Sequence, residues 1–238
     1  MKRNVICIFF AMALLLQGIP TVNAEQSCTD LLGVDFLDEL VFFGESTTMH
    51  LRQRSQLNPN QIWTTASGTA SLDSNSAHRP VIDPKDGSST TPAELAKRDQ
   101  PKWVVLSFGL NGIIGFAEAP EAYLKKYRRL MDAITEGSPD TRFLIQSIYP
   151  VADTALQRDW QFSVSPREIN ERIDCLNGVL KDYCNGLSNA DFVDTSCNLK
   201  NADGFLRPEY TTDGIHLTEA AYREILNKIV AHRKDESS

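Results

Sequence analysis

The sequence predicts an α/β fold, a three-layer α/β/α sandwich around a central parallel sheet of about five strands. Short apolar runs rich in β-branched and aromatic residues recur at 39–44, 61–64, 103–109, 142–149 and 190–194. Stretches with apolar residues at helical spacing separate most of these runs. Strands that alternate with helices need crossover connections, and right-handed crossovers cover both faces of a parallel sheet. No internal repeat, low-complexity tract or domain boundary interrupts the pattern, so residues 25–238 read as one domain.

Each element has a local reason. Leu40-Val41-Phe42-Phe43 is a buried strand broken by Gly44, and a helix over 47–56 follows, ended by the Asn58-Pro59-Asn60 turn. Gln61 to Thr64 forms a short second strand that runs into the small-residue loop 66–71. From Asp73 to Thr91 the chain is polar and turn-rich, which predicts surface loop. Thr91-Pro92-Ala93-Glu94 opens a short helix, with Thr91 as cap and proline at the first helical position. Trp103 to Gly109 is the third strand. Tyr123, Tyr127, Leu130, Met131 and Ile134 make one face of a helix over 120–136. Arg142 to Tyr149 is a strand stopped by Pro150, and 151–164 is irregular. A capping box at Ser165-Pro166-Arg167-Glu168 starts a helix with Ile169, Ile173, Leu176, Leu180 and Tyr183 inward. The strand 190–194 and a closing helix over 217–234 complete the chain.

The N-terminus is a different kind of segment. A basic start (Lys2, Arg3), an apolar run from Val5 to Leu16 and small residues before Glu25 predict a secretory signal peptide, 1–24, cut after Ala24. The run falls short of the about 20 residues a membrane span needs, with an uncleaved anchor as the alternative; no further apolar run approaches that length, so no stable membrane insertion is expected after cleavage. Cleavage leaves 214 residues, enough for a sizeable core. It also removes Lys2 and Arg3 and no acid, moving the net charge from −7 to −9. Such an acidic surface argues against nucleic acid or anionic lipid as partner. Oligomeric state is left open.

Four cysteines remain in the exported form: Cys28, Cys175, Cys184 and Cys197. Cys175 and Cys184 share one predicted helix and stand about 13 Å apart along it, too far for a disulfide. If both bridges form, Cys28 pairs with Cys175 or Cys184 and Cys197 takes the other; the shorter loop favours Cys184–Cys197. Four free thiols are the alternative.

Chemistry concentrates where strands end. Ser46 follows the first strand by two residues, at the carboxyl edge where open α/β sheets bind ligands. A helix N-terminus there favours developing negative charge, although serine is equally a preferred N-cap. Gly68 follows the second strand, and Asn111 follows the third in Gly109-Leu110-Asn111-Gly112. Asp213-Gly214-Ile215-His216 lies directly before the last helix.

The order and spacing of these blocks resemble the SGNH (GDSL-type) hydrolases, over about residues 38–232. Phe43-Gly44-Glu45-Ser46 is similar to that family's Gly-Asp-Ser block, Gly109-Leu110-Asn111-Gly112 to its Gly-x-Asn-Asp block, and Asp213 to His216 to its Asp-x-x-His block. The resemblance implies a flavodoxin-like sheet and a serine esterase, which the signal peptide would make a secreted one. A metal site built from Glu45, Asp213 and His216 lacks the ligand clustering of zinc motifs, so no metal and no cofactor is expected. The same resemblance implies Ser46 as nucleophile, His216 as general base and Asp213 as its orienting acid. It also implies an oxyanion hole from the N–H of Ser46 and Gly68 and the amide of Asn111. Two residues depart from the pattern. Glu45 replaces an aspartate and is expected to flank the chemistry, while Gly112 replaces a carboxylate that braces the asparagine loop. His50, one turn past Ser46, is an alternative base or a substrate-facing residue.

The expected substrate is a small ester, such as an acetylated carbohydrate or cell-envelope component. Export, the acidic surface and the aromatics Trp63 and Trp160 motivate that choice. A catalytically idle glycan- or peptide-binding module is the alternative from another class, and an acyltransferase would share the same acyl-enzyme.

Overall fold

The computed structural model describes residues 34–154 and 163–236. The signal-peptide segment, Cys28 and Trp160 lie outside the described residues.

After a helical turn, α1 (Val34–Leu37), come β1 (Leu40–Gly44), α2 (Ser46–Arg54), β2 (Ile62–Trp63), β3 (Val81–Ile82), β4 (Ser89–Thr90) and α3 (Pro92–Asp99). Then follow β5 (Trp103–Ser107), α4 (Ile113–Glu118), α5 (Pro120–Gly137), β6 (Arg142–Gln146), α6 (Pro166–Asn185), β7 (Ala190–Val193) and α7 (Glu219–Glu236). Five strands form one parallel sheet in the order β2-β1-β5-β6-β7. The chain leaves β1 for β2 on one side and later returns to β5 on the other. That reversal opens a crevice at the carboxyl ends of β1 and β5, the place where such sheets hold ligands.

Side chains alternate across the strands, and both faces are covered. Phe43, Val104, Leu106, Phe143 and Ile145 face a cluster completed by α3, α5 and α6, through Leu95, Tyr127, Ile134, Ile173 and Leu180. Leu40, Phe42, Trp103, Val105 and Leu144 face the opposite cluster, completed by Leu51 of α2 and by Tyr222, Ile225 and Ile229 of α7. This is the three-layer α/β/α sandwich.

Four local expectations need correction. The 73–91 segment is not all loop: Val81 and Ile82 pair antiparallel with Thr90 and Ser89, and Ile82 N–H donates to Thr64 O at 2.8 Å. Val81, one of two adjacent apolar residues inside that polar stretch, is buried and holds the hairpin against the core. The short helix α4 was not predicted. Trp63 is only 1% exposed and belongs to the core, so it offers no sugar-stacking face. Finally, Cys175, Cys184 and Cys197 are free thiols. Cys184 is buried in one apolar cluster, whereas Leu199, two residues after Cys197, packs in the cluster on the other face of the sheet, which keeps that pair from bridging.

Gly44 sets the approach of β1 to β5. A Cβ there would collide with the carbonyl oxygen of Ser107 and with Thr48 Oγ1. Gly44→Ala is therefore expected to force β1 away from β5, lowering stability by about 1–3 kcal/mol as read by urea unfolding. An unchanged midpoint would refute this account of the close pairing.

Candidate active site

β1 delivers its chain end directly into α2. Glu45 is the N-cap, extended at φ −73° and ψ −167°, and Ser46 is the first helical residue. Ser46 is thus not the cap that its residue type suggested. Its N–H is one of the first-turn donors that an α-helix leaves without an internal acceptor. The junction is pinned to the neighbouring strand, since Glu45 N–H donates to Ser107 O at 3.1 Å.

The Asp213–His216 loop folds on itself before α7. Asp213 Oδ1 accepts from the N–H of Ile215 (2.9 Å) and of His216 (2.7 Å). Thr211 Oγ1 accepts from Gly214 N–H and donates to His216 O, both at 2.9 Å. Two further contacts tie this loop and α7 to α2: Arg54 Nη1 donates to Leu217 O at 2.5 Å, and Tyr222 Oη donates to Thr47 O at 2.6 Å.

These supports bring three of the expected residues together. His216 Nδ1 is 2.6 Å from Asp213 Oδ2, and His216 Nε2 is 3.1 Å from Ser46 Oγ. Burial alone would raise the Asp213 carboxyl, but bonds from the His216 ring and from two backbone N–H groups hold it below the usual carboxylate value. An ionised Asp213 can only accept, so the proton between them sits on Nδ1. Nε2 then carries a lone pair facing the serine hydroxyl. Such a relay can take the proton of a hydroxyl nucleophile and stabilise the imidazolium that results.

Asn111 extends from the loop after β5, and its Nδ2 donates to Thr69 Oγ1 at 3.2 Å. One of the two amide hydrogens is thereby spent and the other is left over. Gly68 corrects an expectation. Its N–H, assigned to an oxyanion, donates to Thr65 O at 2.9 Å within a tight turn where Gly68 has φ +78°. Thr69 was not singled out from sequence, because nothing in a small-residue loop distinguishes one hydroxyl from another.

Glu45 also behaves differently from a bystander. It is 4% exposed, and it accepts from Gly109 N–H at 3.0 Å and from Asn111 N–H at 3.1 Å. Burial is the largest influence on this carboxyl and outweighs those bonds, raising it to about 7. An acid placed directly after a buried strand is the signal that could have marked it.

His216, not His50, makes the hydrogen bond to Ser46 Oγ. The His50 ring packs edge-on against His216, with centroids 4.3 Å apart and planes at 64°. Its Nδ1 is buried without a hydrogen-bond partner. Burial first, then the neighbouring His216 and Arg54, push it down to about 4. His50 is therefore a neutral wall for the His216 ring.

A parallel α/β/α sheet carrying a serine–histidine–aspartate relay at its carboxyl edge is the architecture of a serine hydrolase. The chain belongs to the GDSL-like Lipase/Acylhydrolase family, whose model matches residues 42–224, and it is an ester-hydrolysing enzyme of the SGNH/GDSL type. Among solved structures it is similar to a candidate platelet activating factor from Streptococcus pneumonia, at 18% identity and TM-score 0.53, covering 86% of this chain and 90% of that one. It is also similar to a candidate arylesterase from Agrobacterium tumefaciens, at 14% identity and TM-score 0.48, covering 82% and 98%. A third is a carbohydrate esterase family 3 protein from Talaromyces cellulolyticus, at 16% identity and TM-score 0.43, covering 60% and 62%. A search of curated proteins finds no match.

The ring contact has a measurable consequence. In a proton NMR titration the His50 ring is expected to hold its neutral shift down to about pH 4, instead of changing near the ordinary value of 6.5. A group depressed in this way contributes stability that is present above the unfolded value and is lost as pH falls through the folded one. His50→Phe should accordingly flatten the loss of stability between those two values. A His50 midpoint near 6.5 would contradict the packing described.

Proposed function

We propose that the protein is an exported serine esterase that removes small acyl groups, acetyl among them, from hydroxyl groups of carbohydrate or cell-envelope material. The observation that carries the catalytic part is the relay from Ser46 Oγ through His216 to Asp213, at 3.1 and 2.6 Å.

Ser46 Oγ attacks the ester carbonyl carbon while His216 Nε2 takes the hydroxyl proton. Asp213 holds the ring in the required tautomer and stabilises its charged form. The carbonyl π-electrons move to oxygen, and that oxyanion lies against the Ser46 N–H and the unspent Asn111 amide hydrogen, at the positive end of α2. Collapse breaks the bond to the alcohol oxygen, which leaves with the proton from His216. Water, deprotonated by the same nitrogen, then attacks the acyl-enzyme. The acid is released, and His216 returns a proton to Ser46 Oγ. Gly68 takes no part in this scheme while its N–H is held by Thr65.

Export rests on the basic-apolar-small pattern of residues 1–24, and the carbohydrate assignment rests on export and the acidic surface. Among the described residues, no helix is long and apolar enough to cross a membrane.

Wild type is expected to release p-nitrophenol from its acetate ester and Ser46→Ala to show none above background; equal rates would sink the proposal. Asp213→Asn should lower kcat by about 10⁴, because the amide favours the wrong tautomer. Asn111→Ala should lower it by about 10²–10³ if its amide meets the oxyanion. For export, N-terminal sequencing of secreted protein should begin at Glu25, and an intact Met1 terminus would refute cleavage.

A further inference from the structure

Glu45 is a costly residue to keep. A carboxyl buried in an apolar setting is destabilised as an ion, and among the described residues no cation offsets it. What it holds are backbone donors: Gly109 N–H on Oε1 at 3.0 Å, and Asn111 N–H shared between Oε1 and Oε2, both at 3.1 Å. Those donors belong to a loop that is soft by composition. Gly109 lies at φ +140° and Gly112 at φ +100°, so glycines flank Asn111 on either side. Asn111 itself is exposed. The carboxylate expected at position 112 to brace this loop is absent, since Gly112 has no side chain.

Glu45 is also the residue before Ser46. One carboxylate therefore joins the junction that carries the Ser46 N–H to the loop that carries the Asn111 amide. We propose that Glu45 is a positioning residue that sets the spacing of these two oxyanion donors, replacing from the β1 side the brace that position 112 lacks. The proposal rests on the esterase reading above. It predicts an effect on transition-state stabilisation more than on substrate affinity, because the oxyanion exists only after attack.

The other titratable groups facing this carboxyl are Tyr123 and Tyr127 of α5. Both hydroxyls donate to Phe108 O (2.8 and 3.0 Å), and both are held neutral by burial. Burial holds the Glu45 carboxyl well above the usual carboxylate range, and protonation would remove the charge that strengthens its hold on the Gly109 and Asn111 N–H groups.

Three measurements test this. On p-nitrophenyl acetate, with Ser46→Ala as the background, Glu45→Gln should lower kcat at least about tenfold with KM within about threefold, as expected when a donor is misplaced. Glu45→Asp, which keeps a carboxylate, should recover most of that loss. The amide resonances of Gly109 and Asn111, followed by ¹⁵N–¹H NMR in substrate-free wild type, should shift together with one midpoint well above the ordinary carboxylate range. Glu45→Gln that folds and stays within threefold of wild-type kcat would overturn the proposal, as would Glu45→Asp no better than Glu45→Gln. If Glu45→Gln fails to fold, the amide titration decides, and two amides that do not titrate overturn it. If wild type itself proves inactive, the esterase reading fails while the titration still judges the brace.

Discussion

The close parallel pairing of β1 with β5 governs what is built at the carboxyl edge. At the end of that ladder Gly44 has no room for a Cβ beside the Ser107 carbonyl, and Glu45 N–H bonds to the same oxygen. A wider spacing would carry Ser46 away from the loop after β5 and would draw Glu45 out of reach of Gly109 and Asn111. This pair lies at the reversal of strand order, so the two chain ends flanking the crevice are also the two that are locked together.

The opposite wall of the site is held by different means. His216 sits in a loop whose backbone is organised by Asp213 and Thr211, while Arg54 and Tyr222 fasten it and α7 to the helix that begins with Ser46. His50 fills the space beside the His216 ring and stays neutral. The His216 ring is thus fixed on one side by Asp213 and walled on another by a neutral His50.

Much of this was legible from residue order. Strands and helices announced themselves through apolar periodicity, and the parallel sheet followed from their alternation. The Ser46, Asn111 and Asp213–His216 blocks each fall at a strand end or helix start, where local propensity and chemistry coincide. What escaped were features decided by partners distant in sequence. The 81–90 hairpin is anchored to Thr64, Trp63 joins an apolar cluster gathered from distant parts of the chain, and Cys184 packs in a different cluster from Leu199, the near neighbour of Cys197. Gly68 was placed correctly in a loop, but the donor it was expected to offer was already engaged by its own turn.

Sequence alone determined the layers of this protein, its parallel sheet and the residue types of a serine hydrolase, because periodicity and short-range motifs act over a few neighbouring positions. Tertiary structure decided which of those residues touch. Glu45 and Asn111 are 66 positions apart, and Ser46 and His216 are 170 apart. A carboxylate that reads as a bystander becomes a brace only when a neighbouring strand brings two backbone N–H groups to it, and no local pattern encodes that meeting.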